Sequence, residues 1–241
     1  MSIRRADAIS TRNRGFYAPL PINCPVFGDR GKVECPVEEY FGEFVNAADS
    51  QPKKAELRRS LLKARQALHP DIWREKSDRI CAQLHNWSVF AQARTVLAYF
   101  SFRQEPDLSP LFTPSRIWGF PRCVEKNMMW HQWVPTVTGS RQYPLQSGAF
   151  GIVEPHPYAP QIQPADVDLI LVPAVACDVW GYRLGYGGGF YDRMLSSPQW
   201  IGKPTIGIVF EFARLPRLPI DPWDRPLQGI CTEAGLFLKE E

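Results

Sequence analysis

Nine consecutive residues without a charge, LILVPAVAC from Leu169 to Cys177, dictate more about the fold of this chain than any other stretch. The run is far short of the ~20 residues that a membrane-spanning helix needs. It also lacks the polar–apolar alternation of a half-exposed strand, so both of its faces must be covered, as in parallel sheets flanked by helices. Similar runs recur as TVLAYF (95–100), IWGFP (117–121), MMWHQW (128–133), TIGIVF (205–210) and GICTEAGLFL (229–238). Together they predict an α/β fold: a single domain with an open, mainly parallel sheet flanked by helices, a Rossmann-like three-layer sandwich.

Helical periodicity comes first. Leu57, Leu61, Ala64 and Leu68 recur at a spacing that lines one helix face. Pro70 is expected to end that helix and Asp71 to cap a second, with Trp73, Ile80, Leu84 and Trp87 turned inward. Two helices should therefore precede the first strand. Upstream, prolines and glycines break every period, so residues 1–51 read as an irregular, poorly ordered N-terminal extension and 52–241 as the folded domain. The arginine-rich, acid-poor start of that extension also fits a transit peptide or an over-long start; an accessory tail is the simplest reading.

Bulk properties narrow the function classes. Charged residues at 22% and hydrophobic ones at 44% suit a globular chain. A net charge of +3 gives no reason to expect a nucleic-acid partner, yet permits a small anionic ligand. The six cysteines, at 24, 35, 81, 123, 177 and 231, form no C-x-x-C pair and have no histidine cluster beside them. Reduced, separately buried thiols in a cytoplasmic protein follow, with no membrane partner. A monomer or weak homodimer is expected.

The stretch GYRLGYGGGFYDRML (181–195) follows the apolar run. Glycines ahead of a helix let main-chain amides approach an anion closely, and phosphate is the natural guest. Arg183 is suited to pair with phosphate oxygens, Asp192 to hold Mg²⁺ directly or through water, and Tyr186 and Tyr191 to stack on or hydrogen-bond to a planar ligand. Neither a Walker A loop nor a G-x-G-x-x-G fingerprint is present.

DLILVPAVACDVWGYRLGYGGGFYDRML resembles the signature of the 5-formyltetrahydrofolate cyclo-ligase (5,10-methenyltetrahydrofolate synthetase) family. KAELR, AYFSFRQEPD, GFPRC, GAFGIVEP, TIGIVFEF and PIDPWDRPLQGICTE match in the same order, so the resemblance spans about Lys53 to Glu233. It implies that residues 52–241 form a catalytic domain that closes 5-formyltetrahydrofolate, a reduced folate, to 5,10-methenyltetrahydrofolate with ATP as co-substrate and Mg²⁺, releasing ADP and phosphate. It implies ATP contacts at Lys54, Arg58, Arg183, Gly185, Tyr186, Gly187, Gly188, Gly189, Phe190, Tyr191 and Asp192, and catalytic roles for Arg183, Tyr191 and Asp192. Folate contacts are implied at Glu105, Met128, Trp130 and Tyr191, and metal contacts at Asp192 and Asp224; Glu154 falls in a segment near the cleft. Helix geometry supports the first pair independently, because Lys54, Arg58 and Arg65 fall within roughly 40° of one another at 100° per residue.

Three positions depart from the family pattern: Phe190 replaces a tyrosine, Trp223 stands where many members have histidine, and Gln228 replaces an acid. The last raises the expectation of weakened metal or nucleotide geometry. A non-catalytic nucleotide- or folate-binding module on the same fold is the alternative. It should have lost Lys54, Arg58, Arg183 or Asp192, and all four are present.

Overall fold

A computed structural model describes residues 53–135, 143–148 and 151–239; the proposed extension at 1–51 lies outside the described residues. Among the described residues, three helices rather than two precede the first strand: α1 (Lys54–Gln66), α2 (Pro70–His85) and the short α3 (Ser88–Gln92). Pro70 does not stop α1, which closes at Ala67; it opens α2 instead. Its fixed φ suits the first helical position, where no N–H bond is lost. The cap is His69, whose Nδ1 accepts the Asp71 N–H at 3.3 Å, so Asp71 is not the cap.

The main sheet has seven strands. Its five central strands, β11 (Gly229–Thr232), β9 (Thr205–Ile208), β6 (Leu169–Pro173), β1 (Thr95–Leu97) and β2 (Ile117–Val124), run parallel. Each edge is closed by an antiparallel neighbour, β3 (Asn127–Trp133) against β2 and β12 (Gly235–Leu238) against β11. Apolar content alone did not separate these hairpin partners from crossover strands. Short turns do, because a parallel connection needs a dozen residues or more.

Burial of both faces is visible in β6. Leu169 and Leu171 pack with Ile80, Leu84, Phe90 and Trp118 on one side, while Ile170 and Val172 pack with Leu97, Met194 and Trp200 on the other. All four β6 side chains are fully buried, each worth roughly 1.5–3 kcal/mol on the transfer scale. Helix α1 sits on a further apolar group, with Leu57 and Leu61 against Ala174–Cys177, Leu184 and Leu215.

A second, three-stranded sheet joins β10 (Arg214–Leu215), β7 (Ala176–Asp178) and β8 (Arg183–Leu184). A small hairpin, β4 (Gln146–Ser147) with β5 (Val153–Glu154), completes the strands described. The glycine-rich stretch links β8 to α4 (Phe190–Ser196). From β1 the chain turns to β2 on one side, and from β6 to β9 on the other, so the strand order reverses between β1 and β6. In open sheets of this kind ligands occupy the crevice beyond the strand C-termini at that point.

Candidate active site

A cleft of about 1100 Å³ opens there. It is lined by residues leaving β1, among them Phe102 and Glu105, by the segment from Arg183 to Asp192, by Lys54 and Arg58 of α1, and by Asp221 and Asp224. The volume lies at the upper end of the range for small-molecule and cofactor sites.

The glycine loop owes its path to missing side chains. Gly189, the N-cap of α4, has φ +65° and Gly187 φ +103°, both in the region that favours glycine. A Cβ on Gly189 would come within 2.8 Å of Arg193 Nη1. Helix α4 has seven residues, so its dipole is small and the loop amides and guanidiniums carry most of the anion attraction.

Two cations from α1 reach this loop region. Arg58 donates from Nε to the Gly185 carbonyl at 2.7 Å. One turn earlier, Lys54 Nζ lies 2.6 Å from Asp221 Oδ2 and 2.5 Å from Asp224 Oδ2. Partial burial lowers the ammonium pKa, but the two carboxylates outweigh it and leave Lys54 above the ordinary lysine value. Arg65 shares the helix face but has another task. It is buried and donates to the carbonyls of Arg103 and Ala174 and to the Tyr186 hydroxyl, tying α1 to both cleft walls.

Arg183 stands almost buried on β8, with Nη2 2.7 Å from Asp192 Oδ1 and its guanidinium 5.2 Å from the Tyr191 ring centroid. Two buried polar atoms at this spot have no partner, Arg183 Nε and the Tyr191 hydroxyl. Such orphans cost roughly 1–3 kcal/mol each, a cost that a ligand supplying partners removes. Burial drives the Tyr191 hydroxyl pKa well up against the opposing pull of Arg183, so it remains a protonated donor.

The rest of the lining is largely apolar, with two buried acids, Glu105 and Glu154. Phe100 stacks on Phe120 at 4.0 Å and borders the cleft together with Met128. Glu105 is buried and accepts the Phe102 N–H at 3.1 Å. Burial pushes its carboxyl up to about 7, with Arg65, Tyr186 and the Phe102 amide pulling the other way. Arg103 and Gln104 precede it with φ of 49° and 55°, unusual for side-chain-bearing residues.

Residues 50–233 match the model of the 5-formyltetrahydrofolate cyclo-ligase family. The protein belongs to that family. Among its relatives, the 5-formyltetrahydrofolate cyclo-ligase of Escherichia coli (strain K12) is 27% identical over 190 residues, covering 72% of this chain and 96% of that protein. The Haemophilus influenzae cyclo-ligase is 31% identical over 146 residues, 58% of this chain and 76% of that one. The solved Aquifex aeolicus 5,10-methenyltetrahydrofolate synthetase superposes with a TM-score of 0.66 at 32% identity, covering 77% of this chain and 92% of that one. This cyclo-ligase family member is therefore an enzyme, with the family's α/β fold.

Most residues expected at the site meet in the cleft: Lys54, Arg58, Glu105, Met128, Arg183, Gly185 to Asp192 and Asp224 all border it. Trp130 does not. It is buried behind the wall, its Nε1 donating to Met194 Sδ at 3.2 Å and its ring edge-on to Tyr191 at 6.3 Å, so it braces Tyr191 from the core. Glu154 both borders the cleft and accepts the Cys123 N–H at 3.0 Å. Gln228 lies away from the cleft, accepting the Thr205 N–H at 3.1 Å where β9 and β11 begin.

Asp192 and Asp224 are each paired with a cation, and among the described residues no group of three or more His, Cys, Asp or Glu is arranged to hold a metal. Asp221 was not anticipated. Its only signal was a second acid in the PIDPWD turn. No described helix is long and apolar enough to cross a membrane.

Proposed function

We propose that the protein closes 5-formyltetrahydrofolate to 5,10-methenyltetrahydrofolate with ATP, releasing ADP and phosphate. The observation that carries this reading is the mixed lining of one cleft: bare glycine amides with Lys54, Arg58 and Arg183, beside apolar rings, Glu105 and the unpaired Tyr191 hydroxyl.

The N5-formyl group is an amide, and its oxygen is a poor leaving group. Transfer of the ATP γ-phosphoryl to that oxygen gives an iminium phosphate; N10 then attacks the carbon, phosphate departs with the C–O bond electrons, and N10 loses its proton. Phosphoryl transfer depends on positioning and on neutralising charge. Arg183 Nε, buried without a partner, is poised to donate to the phosphoryl oxygens, while Arg58 and Lys54 balance the remaining charge. The Tyr191 hydroxyl donates to the folate, and Glu105 accepts from pterin N–H groups.

Mg²⁺ held in a nucleotide complex needs only one or two protein carboxylates, because phosphates and water fill its other positions. Asp192 and Asp224 fit that donor set, and the ion would neutralise phosphate charge. The substrate is a small molecule, and the reaction needs no membrane or nucleic-acid partner.

The decisive experiment follows methenyltetrahydrofolate absorbance with purified protein, ATP, Mg²⁺ and 5-formyltetrahydrofolate. ATP-dependent appearance of product is expected. Tight ligand binding with no product would establish the non-catalytic alternative in its place.

A further inference from the structure

The turn at 221–224 does more than present Asp224. Its backbone folds so that the Asp221 N–H donates to Asp224 Oδ2 at 2.7 Å and the Asp224 N–H to the Asp221 carbonyl at 3.0 Å. Both carboxylates are thereby brought onto one ammonium, that of Lys54. Two anions and one cation leave the trio itself with a net negative charge, while Arg58, on the Gly185 carbonyl, adds a positive charge beside the glycine loop. The other ion pair of this end, Arg183 with Asp192, is neutral.

We infer that Asp221 makes the nucleotide end of the cleft selective for metal-chelated over metal-free nucleotide, by holding Lys54 in a trio of net negative charge. The inference rests on the nucleotide reading above. Metal-free polyphosphate meets two carboxylates that repel it and that compete with it for Lys54. A chelated divalent cation reverses both effects: its charge offsets the repulsion, and Asp224 turns to it directly or through water, leaving Lys54 shared between Asp221 and phosphate. Asp221, 41% exposed in its side chain, then acts as a positioning residue that keeps the ammonium in place. One charge at such a half-exposed position is worth about a fivefold change in affinity.

Calorimetric titration of ADP into the purified full chain, in EDTA and in excess Mg²⁺, tests this. Wild-type protein should bind ADP at least tenfold tighter with Mg²⁺. Asp221→Asn should bind ADP about fivefold tighter in EDTA and within twofold of wild type in Mg²⁺, so the ratio between the two conditions collapses; Asp221→Glu should restore it. Asp224→Asn should also collapse the ratio, but by losing affinity in Mg²⁺. Thermal melts confirm that each variant is folded. An unchanged ratio in folded Asp221→Asn overturns the inference while leaving the nucleotide site standing. Absence of ADP binding to wild type in both buffers removes the nucleotide reading and this inference with it.

Discussion

The two ends of the cleft solve opposite problems. At the proposed nucleotide end the charged groups already have partners within the protein, Lys54 with Asp221 and Asp224, and Arg183 with Asp192. Where the folate is proposed to lie, the Tyr191 hydroxyl is left without a partner and Glu105 is buried enough that its carboxyl is held up to about 7, while Arg183 Nε is the unpaired donor next to it on the nucleotide side. A highly charged, mobile ligand is thus met by exchangeable ion pairs, and a rigid, planar one by fixed, unsatisfied donors and acceptors. Lys54–Asp221, with one member 41% exposed, costs little to break, roughly 0–1 kcal/mol, whereas Arg183–Asp192 is nearly buried and the orphan donors beside it wait for a specific partner.

Arg183 belongs to both ends, and removing it should have the largest effect. Arg183→Ala should lower turnover by about 10²–10³-fold, the range for losing a donor that stabilises transition-state charge. Steady-state rates check this, and near-wild-type turnover would dissolve the link between the two ends. Glu105→Gln probes the folate end alone. Because the native carboxyl ionises near 7 rather than the ordinary 4.5, the anion that accepts pterin N–H bonds is present only above that range. The wild-type kcat/KM for folate should therefore rise as pH climbs through about 7. The Gln variant should be roughly tenfold weaker at pH 8 and flat with pH, with the KM for ATP unmoved.

Tyr191→Phe removes one orphan hydroxyl. It should raise the folate KM by about fivefold, the worth of one hydrogen bond of about 1 kcal/mol. It should also raise the melting temperature slightly, since the buried donor has no partner in the free protein. A melting temperature that falls would mean the hydroxyl is satisfied without ligand. Phe190→Tyr, at a position bordering the cleft with Arg193 over the ring at 5.0 Å, should change either KM by less than twofold.

The parts of the site that could be read ahead of the structure are those carried by contiguous residues. Arg183 to Asp192 is one strand end, one turn and one helix start, so its glycines and charges are neighbours by covalent connection. Lys54 and Arg58 were legible through helical spacing, which also put Arg65 on their face but did not show its partners, the Arg103 and Ala174 carbonyls and the Tyr186 hydroxyl. Periodicity places a side chain on a face and says nothing of the carbonyls waiting there. Trp130 failed similarly: it alternates correctly along β3, yet the strand it sits on turns that ring to Met194 and the core. Asp221 was invisible because its significance lies in Lys54, 167 positions away.

Sequence by itself determined the two-sided burial of the central strands, the glycine loop and the family, since each depends on local pattern or on contiguous motif. Only the tertiary structure decided which carboxylate faces which cation, which polar atoms are left unpaired and which aromatic braces rather than borders the cleft. Those outcomes depend on distances between segments far apart in the chain, and electrostatic and hydrogen-bond energies change steeply over the few ångströms that only packing sets.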